Sequence, residues 1–276
     1  MIPPEIILDI ITYVVADIKA AERSKFNGLL CTNRMMYSLL SEKLYRTIVL
    51  HSPRMPSRFA EALALSPRLS SLVESVWIGT LDFEVFGDSQ LGPTSSSVAR
   101  ILALAPNLRH LALPSEYFPR LITPYRMPPI EHLTITDDLF PLSTPKIPSL
   151  YTIHVYGPLW PTRTEIVISH CPNLKHVFCT IPYSSQTTYV TPAAQCTQAL
   201  QARIQSLASI EFACSKRVAI PLKRTLADCF DHERKIEIVV NTRNPEQISP
   251  GEAWFRERTQ AEGQRQLSGP KLRNTS

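Results

Sequence analysis

The sequence predicts a mixed α/β (α+β) chain: a small helical module followed by an irregular repeat domain built on a ladder of parallel strands. Three observations carry this prediction. Residues 1–50 place apolar side chains at helical spacing. Residues 51–240 contain a degenerate eight-residue pattern that recurs five times in phase. Residues 241–276 are polar, with little to bury.

The first helix opens at Pro4, in the position a helix N1 proline favours, with Glu5 complementing the dipole of the first turn. Ile6, Ile10 and Val14 form one apolar row, with Ile7 and Ile11 beside it. A polar connection, residues 17–28, leads to a second helix in "LLCTNRMMYSLLSEKLYRTIVL". Here the apolar positions form two stripes about 140° apart on a helical wheel. One is Leu29, Met36, Leu40 and Leu44; the other is Cys31, Met35 and Leu39. A surface helix buries one stripe against its own core, so two stripes require two apolar neighbours. Either both lie within this chain or one is another protein, and the pattern alone does not say which stripe faces outward. "RTIVL" then has strand composition.

Aligned on Pro-x-Leu-x-x-Leu-x-Leu, the chain reads "PNLRHLAL" from Pro106, "PPIEHLTI" from Pro128, "PSLYTIHV" from Pro148, "PNLKHVFC" from Pro172 and "QSLASIEF" from Gln205. The units are spaced 22, 20, 24 and 33 residues apart, flanked by "SLVESVWI" and by "RKIEIVV". Periods in the twenties with a leucine ladder are the signature of leucine-rich-like repeats stacked as a solenoid. Each unit gives a short strand, and segments such as "SSSVARILALA" and "TEIVISHC" supply the return. Strand alternation puts the residues between the buried leucines on the opposite, exposed face. In-phase stacking makes Ala112, Thr134, His154, Phe178 and Glu211 one row, and His110, His132, Thr152, His176 and Ser209 the next. A face of this kind is where a solenoid binds a partner, so His110, His132, Thr134, His154, His176, Phe178 and Glu211 are the candidate substrate-binding residues. The alternative is that these polar groups only solvate the sheet.

Composition narrows the function. The chain has 44% hydrophobic and 19% charged residues, the balance of a globular protein. Its net charge of +5 is spread over pairs such as Lys216-Arg217, Lys223-Arg224 and Arg234-Lys235, with no run that reads as a nucleic-acid or membrane footprint. With 24 prolines and 8 glycines, glycine-rich phosphate loops are not expected. No G-x-G-x-x-G, Walker loop, H-E-x-x-H or G-x-S-x-G occurs, so no catalytic residues, cofactor or enzymatic activity are expected. "SHCPNLKHVFC" offers His170, Cys171, His176 and Cys179, but alternation sends Cys179 inward and His176 outward, so no metal site is expected. The six cysteines form no C-x-x-C pair, the start lacks a basic signal-peptide region, and no apolar run is long enough to span a membrane. Buried thiols in a reducing intracellular compartment, cytoplasmic or nuclear, fit these features. Trp254 and Phe255 are placed to dock a short helix in an otherwise largely disordered tail.

Residues 1–50 resemble an F-box. "IPPEIILDII" is similar to that family's opening Leu-Pro-x-Glu-Ile-Leu-x-x-Ile, and Cys31, Arg34, Tyr37, Leu39 and "LYRTI" fit its later stretch, where Met36 stands at the usual tryptophan position. The resemblance implies a module that docks on a Skp-type adaptor and, through it, on a cullin, while the repeats hold a protein substrate. Matching positions make Ile2, Pro3, Ile6, Ile10, Leu29, Cys31, Tyr37 and Leu40 the implied adaptor contacts. No nucleic acid or membrane partner is implied. The alternative is a repeat scaffold outside any ligase, its N-terminal helices acting as a cap.

Overall fold

Each of the five phased units supplies one strand of a single sheet. A computed structural model describes residues 44–79, 91–117, 127–136, 146–156, 161–181, 187–229 and 236–242, with Tyr37, Ser41, Glu42, Trp254 and Arg258. The strands are β1 (Thr47–Leu50), β2 (Ser75–Ile78), β3 (His110–Leu113), β4 (His132–Ile135), β5 (Thr152–Tyr156), β6 (His176–Thr180), β7 (Ser209–Cys214) and β8 (Glu237–Thr242). They form one eight-stranded sheet in chain order, and all seven neighbouring pairs are parallel. Parallel neighbours need a crossover. Helices α1 (Met55–Leu65) and α2 (Pro67–Leu72) make the first, and α3 (Leu91–Leu104) lies in the second. Further along, α4 (Pro161–His170), α5 (Val190–Arg203) and α6 (Lys216–Cys229) return the chain to β6, β7 and β8. The segments read as returns, "SSSVARILALA" and "TEIVISHC", fall in α3 and α4.

Every leucine position of the repeat is buried. The third position holds Leu108, Ile130, Leu150, Leu174 and Leu207; the sixth holds Leu111, Leu133, Ile153, Val177 and Ile210; the eighth holds Leu113, Ile135, Val155, Cys179 and Phe212. They join Ala60, Leu63, Ile101, Val167, Leu200 and Leu222 of the helices in one core. At roughly 1.5–3 kcal/mol for each large side chain removed from water, this shared core is what holds the strands in order.

The units are also tied by a repeated hydrogen-bond device. At the entrance to each of β4 to β7 two successive amides donate to one carbonyl of the preceding unit: Glu131 and His132 to Arg109, Tyr151 and Thr152 to Glu131, Lys175 and His176 to Tyr151, Ala208 and Ser209 to Lys175. The second position of four units adds a side-chain tie. Asn107 Nδ2 donates to Ser71 O, Ser149 Oγ to Ile130 O, Asn173 Nδ2 to Pro148 O and Ser206 Oγ to Leu174 O, each at 2.8 Å. The unit from Pro128 has Pro129 at this position and no such donor.

Helical residues Tyr37, Ser41, Glu42 and 44–46 lead into β1. Leu44 and Ser41 are buried, whereas Tyr37, on the same helical face farther from the sheet, is 44% exposed. The expected adaptor contacts Ile2, Pro3, Ile6, Ile10, Leu29, Cys31 and Leu40 lie outside the described residues. Among the described residues no helix is long and apolar enough to cross a membrane.

Candidate functional site

The sheet face opposite the helices carries the side chains left over by the core. Because strand side chains alternate, each residue between two buried positions points to this second face. The register places Ala112, Thr134, His154, Phe178 and Glu211 side by side, and His110, His132, Thr152, His176 and Ser209 likewise, as the repeat phase predicts. Both rows extend further: the first through Val49 and Trp77 to Val239, the second through Thr47 and Ser75 to Glu237.

Exposure along this face corrects the expectation of a uniformly open surface. His110 is 8% exposed, Thr134 is 3% exposed and Ala112 is fully buried, so these positions are closed to a partner. At Ala112 the physical cause is a small second core, in which Trp254 packs on Trp77 and Ala112 with Val49 beside them. The two indole rings sit 5.6 Å apart at 55°, and Trp77 Nε1 donates to Gly79 O at 3.1 Å, so its polar handle is satisfied inside. The docking role of Trp254 agrees with the sequence; that it docks on this face was not foreseen.

Thr152 at the start of β5 is still buried, and from His154 onward the face opens to half-buried side chains. His154 stacks on Tyr156 with ring centroids 4.3 Å apart and meets Phe178 edge-on at 6.1 Å. The imidazole Nε2 shares a hydrogen bond with Thr180 Oγ1 at 2.9 Å, which fixes the ring over the strands. His176 Nδ1 shares one with Ser209 Oγ at 2.8 Å, and Asn241 Nδ2 donates to Glu211 Oε1 at 2.7 Å. The result is a short aromatic and imidazole platform edged by one carboxylate, suited to packing an apolar side chain and pairing a donor. Tyr156, Thr180 and Asn241 belong to this group and were missed. Tyr156 had a signal, since it lies two residues after His154 and must share its face.

At the closed end, His110 and His132 are near neighbours, as their stacked positions imply, with ring centroids 4.5 Å apart. Ser75 Oγ shares a 2.8 Å hydrogen bond with His110 Nδ1. Of this pair His110 is buried and structural, whereas His132 is half-buried and keeps part of its ring on the open side.

The cysteine and histidine group from the fourth unit separates as alternation requires. Cys179 lies in the main core and His176 on the opposite face, while Cys171 is buried in the turn before β6. His170 Nδ1 instead lies 2.9 Å from Ile166 O of its own helix. Among the described residues no cluster of three His, Cys, Asp or Glu side chains is placed to hold a metal ion. Cys171, Cys179, Cys196 and Cys214 are buried free thiols. Burial pushes Cys171 and Cys196 up to about 12 and raises Cys214 as well. Such thiols are poor nucleophiles, because the thiolate is the reactive form.

No protein-family model matches the chain, and no curated protein matches it.

Proposed function

We propose that this chain is a substrate receptor of a cullin-type ubiquitin ligase. In this reading an F-box-like module at residues 1–50 docks on a Skp-type adaptor, and a leucine-rich-like solenoid at residues 51–240 holds the target protein. The observation that carries the binding half is the β5–β8 face: a half-buried platform of His154, Tyr156, Phe178 and Glu211 on a parallel sheet. The one-strand-per-unit ladder supports the solenoid assignment, since stacked units with in-phase buried leucines are how such repeats build a continuous core. The adaptor half rests on "IPPEIILDII" and "LYRTI", and the exposed Tyr37 ring supports it by leaving an aromatic contact available. On this mechanism the chain performs no chemistry. It raises the effective concentration of target lysines beside a ubiquitin-charged enzyme, and transfer is carried out elsewhere in the assembly. Buried free thiols accord with an intracellular setting.

The second reading, a repeat scaffold outside any ligase, uses the same face and differs only at the N-terminus. Co-expression with a Skp-type adaptor, followed by size-exclusion chromatography, separates the two. Co-elution that is lost in a Pro3→Ala, Leu40→Asp variant is the expected result. A folded chain that elutes alone beside the adaptor overturns the ligase reading and leaves the scaffold.

A further inference from the structure

The last crossover helix, α6, has two sharply different sides. Val218, Ala219, Leu222 and Leu226 are buried in the main core. At 100° per residue, Lys216, Arg217, Ile220, Lys223 and Arg224 occupy the opposite sector, about 120° wide and about 12 Å long. All five are exposed, and Ile220 lies in the middle of the four cations with 48% of its surface open. Some other cations of the described structure are matched: Arg46 with Glu74, Arg109 with Glu131, Arg203 with Glu165, and Lys175 over the Tyr151 ring. None of the four on α6 has an ion-pair partner among the described residues. Lys216 and Arg217 also occupy the first turn, which has no acidic residue and where the helix dipole disfavours positive charge. An open depression of about 390 Å³, lined by Ser215, Lys216, Arg217 and Ile220, adjoins this turn.

We infer that this outward side of α6 is a docking surface for an acidic, amphipathic segment of another protein, one that seats a large apolar side chain against Ile220 between flanking carboxylates. Charge complementarity identifies the occupant. Four clustered cations with no ion-pair partner among the described residues attract an anionic chain, and a half-exposed isoleucine ringed by charge has the layout of a small protein interface, an apolar centre within a polar rim. A single-stranded nucleic acid is disfavoured because this side of α6 carries no aromatic ring on which a base would stack. A lipid surface is disfavoured because the other large apolar side chains of α6 are spent on the core, leaving one for insertion. The surface lies on the helical side, away from the β5–β8 face, and the inference is independent of the function proposed above.

The test uses the full-length chain and fluorescence anisotropy of a short labelled peptide in which aspartates and glutamates flank one leucine. Saturable binding that weakens as salt is raised is expected. Lys216→Glu with Arg217→Glu, and separately Lys223→Glu with Arg224→Glu, should each weaken it by at least roughly tenfold. Ile220→Ser, and serine in place of the peptide's leucine, should each cost roughly fivefold or more, as an apolar anchor would. Because all these side chains are exposed, the melting curves should not move; the milder Lys216→Ala, Arg217→Ala pair serves if a reversal perturbs folding. Absence of saturable binding overturns the proposal, and so does equal binding of the leucine-free peptide. Tighter, α6-dependent binding of phosphatidylserine vesicles or of an oligouridine would overturn it in favour of a lipid or nucleic-acid surface.

Discussion

Trp254 closes over Trp77 from the far end of the chain, its ring 5.6 Å away, and shuts the β1–β3 end of the sheet face that the repeats would otherwise leave open. The contact divides that face into a structural part and a half-open part. Removing the covering ring tests this division. Trp254→Ala should lower stability by about 3 kcal/mol, the lower end for deleting a buried tryptophan side chain. Urea unfolding followed by circular dichroism measures the loss, and tryptophan emission of the folded variant should shift to the red as water reaches Trp77. A change within about 0.5 kcal/mol, the range of ordinary surface substitutions, would mean that the indole pair closes nothing.

Two serine–histidine pairs with the same 2.8 Å spacing should respond differently to the same substitution. Ser75 and His110 are both buried, whereas His176 and Ser209 are half-buried. Ser75→Ala removes a hydrogen bond that water cannot replace, at a cost of about 1–3 kcal/mol. At Ser209→Ala water can take the vacated position, so the cost should stay below about 1 kcal/mol. Denaturant midpoints of the two variants give the comparison, and equal losses would contradict the division of the face.

The tie from Asn173 Nδ2 to Pro148 O joins the units of β5 and β6 at an exposed site. Asn173→Ala should cost about 0.5–1.5 kcal/mol, the net worth of one hydrogen bond, while Leu174→Ala beside it should cost about 2–5 kcal/mol for a core cavity. Thermal melts of the pair distinguish a hydrogen-bonded seam from a purely apolar ladder. Loss of more stability at Asn173 than at Leu174 would reverse that ranking.

Much of this architecture is legible in local pattern. The leucine positions recur at a fixed phase, and a parallel ladder turns equal phase into equal height, so Leu111, Leu133, Ile153, Val177 and Ile210 align without tertiary knowledge. The same period-two logic assigns His154 and Phe178 to the second face. What it cannot supply is which part of that face another segment covers, because the Trp77–Trp254 contact joins residues far apart in the chain, with no shared periodicity. Ala112 was therefore placed on the exposed face though Trp254 covers it, and His110 and Thr134, read as accessible, are buried as well. The inter-unit ties of Asn107, Ser149, Asn173 and Ser206 were visible as polar second positions, but hydrogen-bond partners carry no period of their own and emerge only from three-dimensional placement.

The core thiols make stability fall in alkali. Burial raises Cys171 and Cys196 from an ordinary value of 9.0 to about 12, so the folded chain holds two protons that the unfolded chain releases near pH 9. A group whose folded pKa is raised contributes stability that is intact below the unfolded pKa and is lost as pH climbs through the folded one. Each thiol should therefore cost about 1.4 kcal/mol per pH unit between about pH 9 and pH 12. Cys196→Ala should flatten the slope of unfolding free energy against pH in this window by about one thiol's share, whatever it does to stability at pH 7, where both states keep the proton. Urea titrations at intervals across the window read the slope directly. Alkylation mapped by mass spectrometry gives an independent check: Cys171 and Cys196 should stay unmodified in the folded protein at pH 8 and react once it unfolds. An unchanged slope in Cys196→Ala, with rapid native-state alkylation of the same site in the parent chain, would place that thiol in water rather than in the core.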